Sequence, residues 1–141
     1  MSQRDWAAHL AECRERLGFA SALLGDWVGR GRAHEGEVEA ALTLRLVLDG
    51  TAIEARERVG DHEDLCLYRW DAEERRYVVH HFMAGAAALH AVELTPRGMV
   101  WVTPPFSPAV EWWVDGDELC CDVVWPHGGE PEVAIRYRRA G

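Results

Sequence analysis

The chain has 141 residues, enough for one domain with a real core and too few for two. A formal charge of −9 with a pI near 5.2 argues against general affinity for nucleic acid or anionic membrane surfaces. All fifteen basic residues are arginine, which excludes Schiff-base chemistry and pyridoxal phosphate attachment on a lysine, and seven tryptophans require burial or a cavity to line.

The first 24 residues predict an amphipathic helix packed on the rest of the domain. Ser2 with Asp5 resembles a capping box, although Asp replaces the usual Glu or Gln. Trp6, Leu10, Cys13, Leu17 and Leu24 recur at spacings of four, three, four and seven, which places them on one apolar stripe. Packing against a sheet end accounts for such a stripe; a partner-binding helix is the alternative.

At Gly25 the period changes. The run Gly25-Asp26-Trp27-Val28-Gly29-Arg30-Gly31 reads G-x-W-x-G-x-G, and it suits a strand at the crowded end of a small antiparallel barrel. There Trp27 fills the floor, and the glycines let neighbouring backbones approach. Strands are expected at 26–33, 38–48, 51–59, 64–70, 76–83, 87–94, 99–103, 109–114, 117–125 and 132–139. Ten short strands joined by tight turns predict a mainly β fold, an up-and-down barrel over 25–141 whose closure removes exposed edges.

The turns set expected registers. Asp49-Gly50 and Asp115-Gly116 read as two-residue hairpin loops, and Thr95-Pro96-Arg97-Gly98 as a type I turn ending in a left-handed glycine. The first loop places Leu48, Leu46 and Leu44 opposite Thr51, Ile53 and Ala55, with Arg45 facing Glu54 as an exposed ion pair. The second groups Val110, Trp112, Val114, Leu119, Cys121, Val123 and Trp125 on the lumen face, with Glu111, Trp113, Glu118, Cys120 and Asp122 outside. For strand 64–70, Leu65/Leu67/Arg69 and Cys66/Tyr68/Trp70 are both credible inner sets.

Gly25, Trp27, Gly29 and Gly31, the N-terminal helix, ten meandering strands and the basic final strand Ile135-Arg136-Tyr137-Arg138-Arg139 together resemble nitrobindin-like and fatty-acid-binding-protein-like barrels of the calycin group. The likeness covers nearly the whole chain in layout. It implies carriage of a buried small molecule, and in the nitrobindin-like branch a haem held by a histidine near the chain's end. Matching the closing segments places Ala134 at that position, with His127 nearby in a Pro-His-Gly-Gly turn. The resemblance also implies that Arg136 or Arg138 stacks on Trp27 at the barrel floor.

The strongest internal chemistry is His81 with His90. A Gly85-Ala86 loop sets them directly opposite each other on a face shared with Tyr77, Val79 and Leu94. Such a pair binds a metal, holds an acidic ligand or moves protons, or else simply hydrogen-bonds to itself or to water. Glu57 falls on the inner parity opposite Leu42, either marking a polar cavity rim or standing as a buried acid with a raised pKa. Tyr137 shares parity with Val133 and Ile135, as ligand donor or as wall. His62-Glu63-Asp64 reads as an exposed turn, and His80 as an outer-face residue. Phe106, in the proline-rich connection 103–108, is a candidate gate, a rigid turn being the alternative. No third ligand completes a catalytic zinc site, Ser107 lacks triad partners, and no phosphate-binding loop is present.

Cys13, Cys66, Cys120 and Cys121 form no C-x-x-C, and no secretory or membrane-spanning run is visible, so a reduced, cytoplasmic protein is expected. The leading expectation is non-catalytic binding of a small hydrophobic molecule by Trp101 or Val102, Trp112, Trp125, Tyr137, His81, His90 and Glu57. No metal and no obligatory cofactor is expected. A haem or tetrapyrrole carrier with an unusual histidine ligand, a cofactor-free isomerase or cyclase, and an interaction role through the helix or Trp113 are the alternatives.

Overall fold

The computed structural model describes residues 2–124 and 131–141; Trp125 and His127 lie outside them. Ten antiparallel strands close into one barrel: β1 (Gly25–Ala33), β2 (Gly36–Val47), β3 (Ala52–Val59), β4 (His62–Asp71), β5 (Arg76–Met83), β6 (Ala86–Leu94), β7 (Gly98–Val102), β8 (Ala109–Asp115), β9 (Glu118–Val124) and β10 (Pro131–Arg139). Each strand pairs with its sequence neighbours, and β10 returns to β1 to complete the ring. The expected mainly β, up-and-down barrel is therefore the observed one.

The helix is shorter than its apolar stripe. Helix α1 runs Gln3–Arg16 behind a complete Ser2/Asp5 capping box, and a 3-10 segment follows over Gly18–Leu23. Cys13 and Leu17 are buried, whereas Trp6 is 52% exposed and stacks on His9. Polar contacts fix the helix across one barrel end. Tyr77 donates to the carbonyl of Arg16 at 2.6 Å, Trp70 donates to Glu12 at 3.2 Å, and the Arg16 guanidinium lies 4.2 Å from the Trp70 ring centroid. Leu17 and Ala20 pack with Ile53 beneath it. That end of the barrel is stoppered.

Closure depends on the glycines of β1. A Cβ at Gly31 would sit 1.9 Å from the Ala134 carbonyl oxygen, and one at Gly29 would sit 2.6 Å from that of Arg136. Only glycine permits β10 so close. Tyr137 pairs with Gly29, and its ring carbons occupy the space that a Gly29 side chain would need. Trp27 is buried and donates its indole N–H to the Leu23 carbonyl at 2.9 Å. The arginine over Trp27 is Arg139, at 4.2 Å, rather than Arg136 or Arg138. Side chains alternate along a strand, so Arg139 shares the inner parity of Tyr137 while Arg136 and Arg138 point outward to Asp122 and Glu118.

Several local expectations need correction. The β2–β3 register is as expected, but the loop spans Leu48–Thr51, with positive φ at Leu48, Asp49 and Gly50. Arg45 pairs with Asp26 at 2.5 Å instead of Glu54, which Arg56 takes at 2.9 Å. The β8–β9 loop is Gly116-Asp117, not Asp115-Gly116; Val114 pairs with Leu119 and Trp112 with Cys121, so the expected faces persist. Gly98 is not left-handed. It is required because a Cβ there would lie 1.9 Å from the Trp112 carbonyl oxygen. Outer Trp113 is covered by the guanidinium groups of Arg97 and Arg136, at 4.0 and 4.9 Å, so it offers no free aromatic surface.

Gly31→Ala should destabilise the barrel by about 1–3 kcal/mol, because strand β10 must retreat to accept the methyl group. Gly18→Ala, where no atom lies within 4 Å and φ is not positive, should be neutral or mildly stabilising. Urea unfolding of the two variants checks the contrast.

Candidate functional site

Alternation along the strands sends Leu42, Ala55, Glu57, Cys66, Tyr68, His81, His90, Trp101 and Trp112 into the barrel, where they line a cavity of about 590 Å³. His34, Glu35, His62, Thr103, Ser107 and Pro108 stand around the end opposite the helix. A second, mostly apolar cavity of about 330 Å³ lies toward the helix and shares Leu42, Ala55, Tyr68 and Trp112 with the first. A larger depression, about 1020 Å³, is bordered by Arg30, Glu37, Glu39, Arg58 and Arg138 on the outer face of the sheet. It is an open, charged surface, so the lumen is the better candidate site.

One wall carries a polar track across neighbouring strands. Glu57 pairs with Leu42 as expected, and on its other side with Asp64. Both carboxyl groups therefore lie side by side on the inner face. Across the lumen, Tyr137 donates its phenol hydrogen to Glu57, a contact between β3 and β10. Gly29 makes room for the Tyr137 ring, and Trp112 stacks on it with centroids 6.1 Å apart. The Trp112 indole Nε1 is buried without a hydrogen-bond partner among the described residues.

His81 lies 3.0 Å from Asp64 Oδ2 through Nε2. His62 Nε2 comes within 2.8 Å of Asp64 Oδ1, close enough for charge attraction but outside hydrogen-bond alignment, which leaves that buried oxygen unsatisfied. The β5–β6 turn is Ala84-Gly85 rather than Gly85-Ala86. Consequently His81 pairs with Ala88 and His90 with Val79, so the imidazoles are diagonal neighbours and not directly opposed. A two-residue slip preserves parity, and both remain in the lumen. They meet at Trp101: His90 stacks on its ring at 5.6 Å, His81 meets it edge-on at 5.1 Å, and its N–H reaches the Tyr68 hydroxyl at 3.3 Å.

Burial dominates the electrostatics. It pushes the Glu57 carboxyl up to about 7; the Tyr137 hydrogen bond and His81 oppose the rise, while Asp64 adds to it. Burial, with His81 nearby, pushes the His90 imidazole down, which favours its neutral form. The Cys66 and Cys121 thiols are pushed up by burial and then by Glu57, so they remain protonated lining groups rather than nucleophiles.

The sequence expectations divide accordingly. His81, His90, Trp112 and Glu57 line one cavity, whereas Tyr137 is fully buried in the core behind it and reaches the site only through its hydroxyl on Glu57. Trp101 rather than Val102 faces inward, since Val102 is 46% exposed, and Cys66/Tyr68/Trp70 is the inner set of β4. Glu57 is half-buried and meets Tyr137 inside the cavity, where desolvation raises its pKa, so it stands within the lumen rather than at its rim. Ala134 pairs with Asp122 on the outer parity, facing away from the lumen. Phe106 is 76% exposed and does not line the cavity. Asp64 was missed because His62-Glu63-Asp64 reads as a turn; β4 in fact begins at His62, and continuing the Cys66/Tyr68 alternation by two residues would have found it. Among the described residues, no group of three or more His, Cys, Asp or Glu side chains is arranged to hold a metal ion, and no helix is long and apolar enough to cross a membrane.

The ten-stranded closed antiparallel barrel with a lumen is compatible with a calycin-like fold. No family model matches the chain, and no curated protein gives a significant match.

Because the folded state keeps the Glu57 proton to about pH 7 while an unfolded glutamate loses it near 4.5, the folded state binds more protons between those values. The Glu57 contribution to stability therefore falls as pH rises through that window, by at most about 3 kcal/mol. Glu57→Gln should match the wild type near pH 4.5 and exceed it at pH 8, as read from urea midpoints.

Proposed function

We propose that this barrel binds a small hydrophobic or amphipathic molecule in its lumen and carries it without chemical change, as the resemblance to nitrobindin-like and fatty-acid-binding-protein-like barrels implies. The supporting observation is the lumen of about 590 Å³, whose largely aromatic and aliphatic wall is interrupted by a few polar groups gathered around Glu57. Sites of this size and make-up suit small ligands, the apolar wall giving affinity and the polar groups fixing orientation. The unsatisfied Trp112 N–H and Asp64 Oδ1 are groups that an occupant would satisfy.

A second reading, a cofactor-free isomerase or cyclase, draws support from Glu57, whose carboxyl is pushed up to about 7 by burial beside the Asp64–His81 pair. A tetrapyrrole carrier is the third. With Ala134 on the outer face, an axial imidazole would come from His81 or His90, both already packed on Trp101, or from His127, which lies outside the described residues.

Native mass spectrometry of the protein purified from cells, with titration of the neutral dye Nile red, tests the leading reading. The wild type should retain a small molecule or take up the dye, and Ala88→Trp, which fills the cavity beside His81, should weaken dye binding at least about tenfold. Equal binding by both proteins would overturn lumen carriage. Recovery of the cargo with an altered structure would favour the enzyme, and a Soret band lost in the His81→Ala/His90→Ala double variant would favour the haem carrier.

A further inference from the structure

Resting on that lumen reading, we infer that the occupant's polar end is an amine, held as an ammonium by Glu57 and the aromatic walls, rather than a carboxylate. The first ground is the distribution of charge. The chain has fifteen arginines and no lysine, yet the cavity lining contains Glu35, Glu57, Asp64 and Glu132 and not one arginine. The residues 125–130 contain no arginine either. Most arginines stand outside instead, in pairs such as Arg45–Asp26, Arg56–Glu54, Arg97–Glu111 and Arg136–Asp122, and the inward Arg139 is held at the floor by the carbonyls of Leu24 and Ala22. A carboxylate head in the cavity of about 590 Å³ would meet acids and no permanent cation, a like-charge arrangement that disfavours it; Arg97, at the border of the helix-end cavity, is already paired with Glu111.

The second ground is the partner set of the carboxylates. Asp64 has His81 and His62 against it, and Glu132 has His34 at 3.8 Å. Glu57, by contrast, is met by the uncharged phenol of Tyr137. Glu35 is exposed at the mouth, so among the lining carboxylates inside the cavity Glu57 is the one whose charge an incoming cation would complete. Burial, with Asp64 beside it, raises its pKa more than the Tyr137 hydrogen bond and His81 lower it, and an ammonium would supply the remaining compensation.

The third ground is independent of the acids. Tyr68, Trp101 and Trp112 contribute to the wall around this point, and the buried Tyr137 ring backs Trp112, nearly parallel to it at 18°. Aromatic faces attract cations and are indifferent to carboxylates. Aromatic rings around one half-buried lumen carboxyl therefore match a primary ammonium with an apolar tail, the tail directed toward the apolar space lined by Leu23, Leu44, Ile53 and Met99.

Competition against bound Nile red tests this with octylamine, octanol and octanoate, which share a tail and differ in headgroup. Octylamine should displace the dye at concentrations at least about tenfold below octanoate, with octanol between them. Glu57→Gln should bring octylamine to the level of octanol and leave octanol unchanged. Octanoate displacing as well as octylamine would overturn the inference while leaving lumen binding intact, and so would an amine preference that survives Glu57→Gln. The comparison of three headgroups on the wild type stands even if the variant fails to fold. Failure of Nile red to bind would overturn the lumen reading itself, and the inference with it.

Discussion

The structure depends on how closely β10 approaches β1. A barrel is stable only if its last strand reaches its first, and here the approach is too tight for any side chain at Gly29 or Gly31. The same register that closes the ring carries Tyr137 over Gly29 and Arg139 over Trp27. Closure and site assembly are thus one event. The phenol reaches Glu57 because the backbone beneath it has no side chain, and the barrel floor is sealed by an arginine that donates to the carbonyls of Leu24 and Ala22.

A carboxyl group inside a cavity works against folding, since desolvation penalises its charged form. Leu42 pairs with Glu57, and Ala55 lies two residues before it on the same inner face, so an aliphatic residue at 57 would suit the wall better. The conflict between local environment and residue type is concentrated at Glu57, Asp64 and the imidazoles beside them, while the remaining wall follows ordinary apolar alternation. Conflicts of this kind gather where a protein binds something. Burying all four thiols and keeping arginine out of the cavity lining leaves the lumen chemically quiet except at that one track.

Strand alternation made most of this architecture legible. The parity rule assigns Val110, Trp112, Cys121, Tyr137 and Glu57 to the interior correctly, because a face is fixed by odd or even position alone. Exact pairing was less accessible. Whether a hairpin uses Gly85 or Gly116 as its first or second loop residue shifts the register by two, which leaves each face intact but changes the partner. His81 and His90 therefore stayed inside while losing their direct opposition. Asp64 escaped notice because its neighbours are polar, and polar runs beside a glycine resemble turns. The Tyr137–Glu57 contact lay beyond reach for a different reason: it crosses the lumen between strands that are not neighbours in the ring, so no local pattern encodes it.

The ring of strands is not equally strong around its circumference. β7 is the shortest strand, and its ladder with β8 consists of Gly98–Trp113, Met99–Trp112 and Val100–Glu111 before it stops. Beyond that point Trp101 pairs with β6 on one side only, and the chain leaves through Thr103 to Pro108, where prolines supply no amide hydrogen to extend the ladder. This is a seam in the wall, and it lies directly beside the indole that both lumen histidines touch. Breathing of the barrel would concentrate along that line, so amide hydrogens of β7 and β8 would exchange first. The wall itself, and not only the mouth, then becomes a route between solvent and lumen.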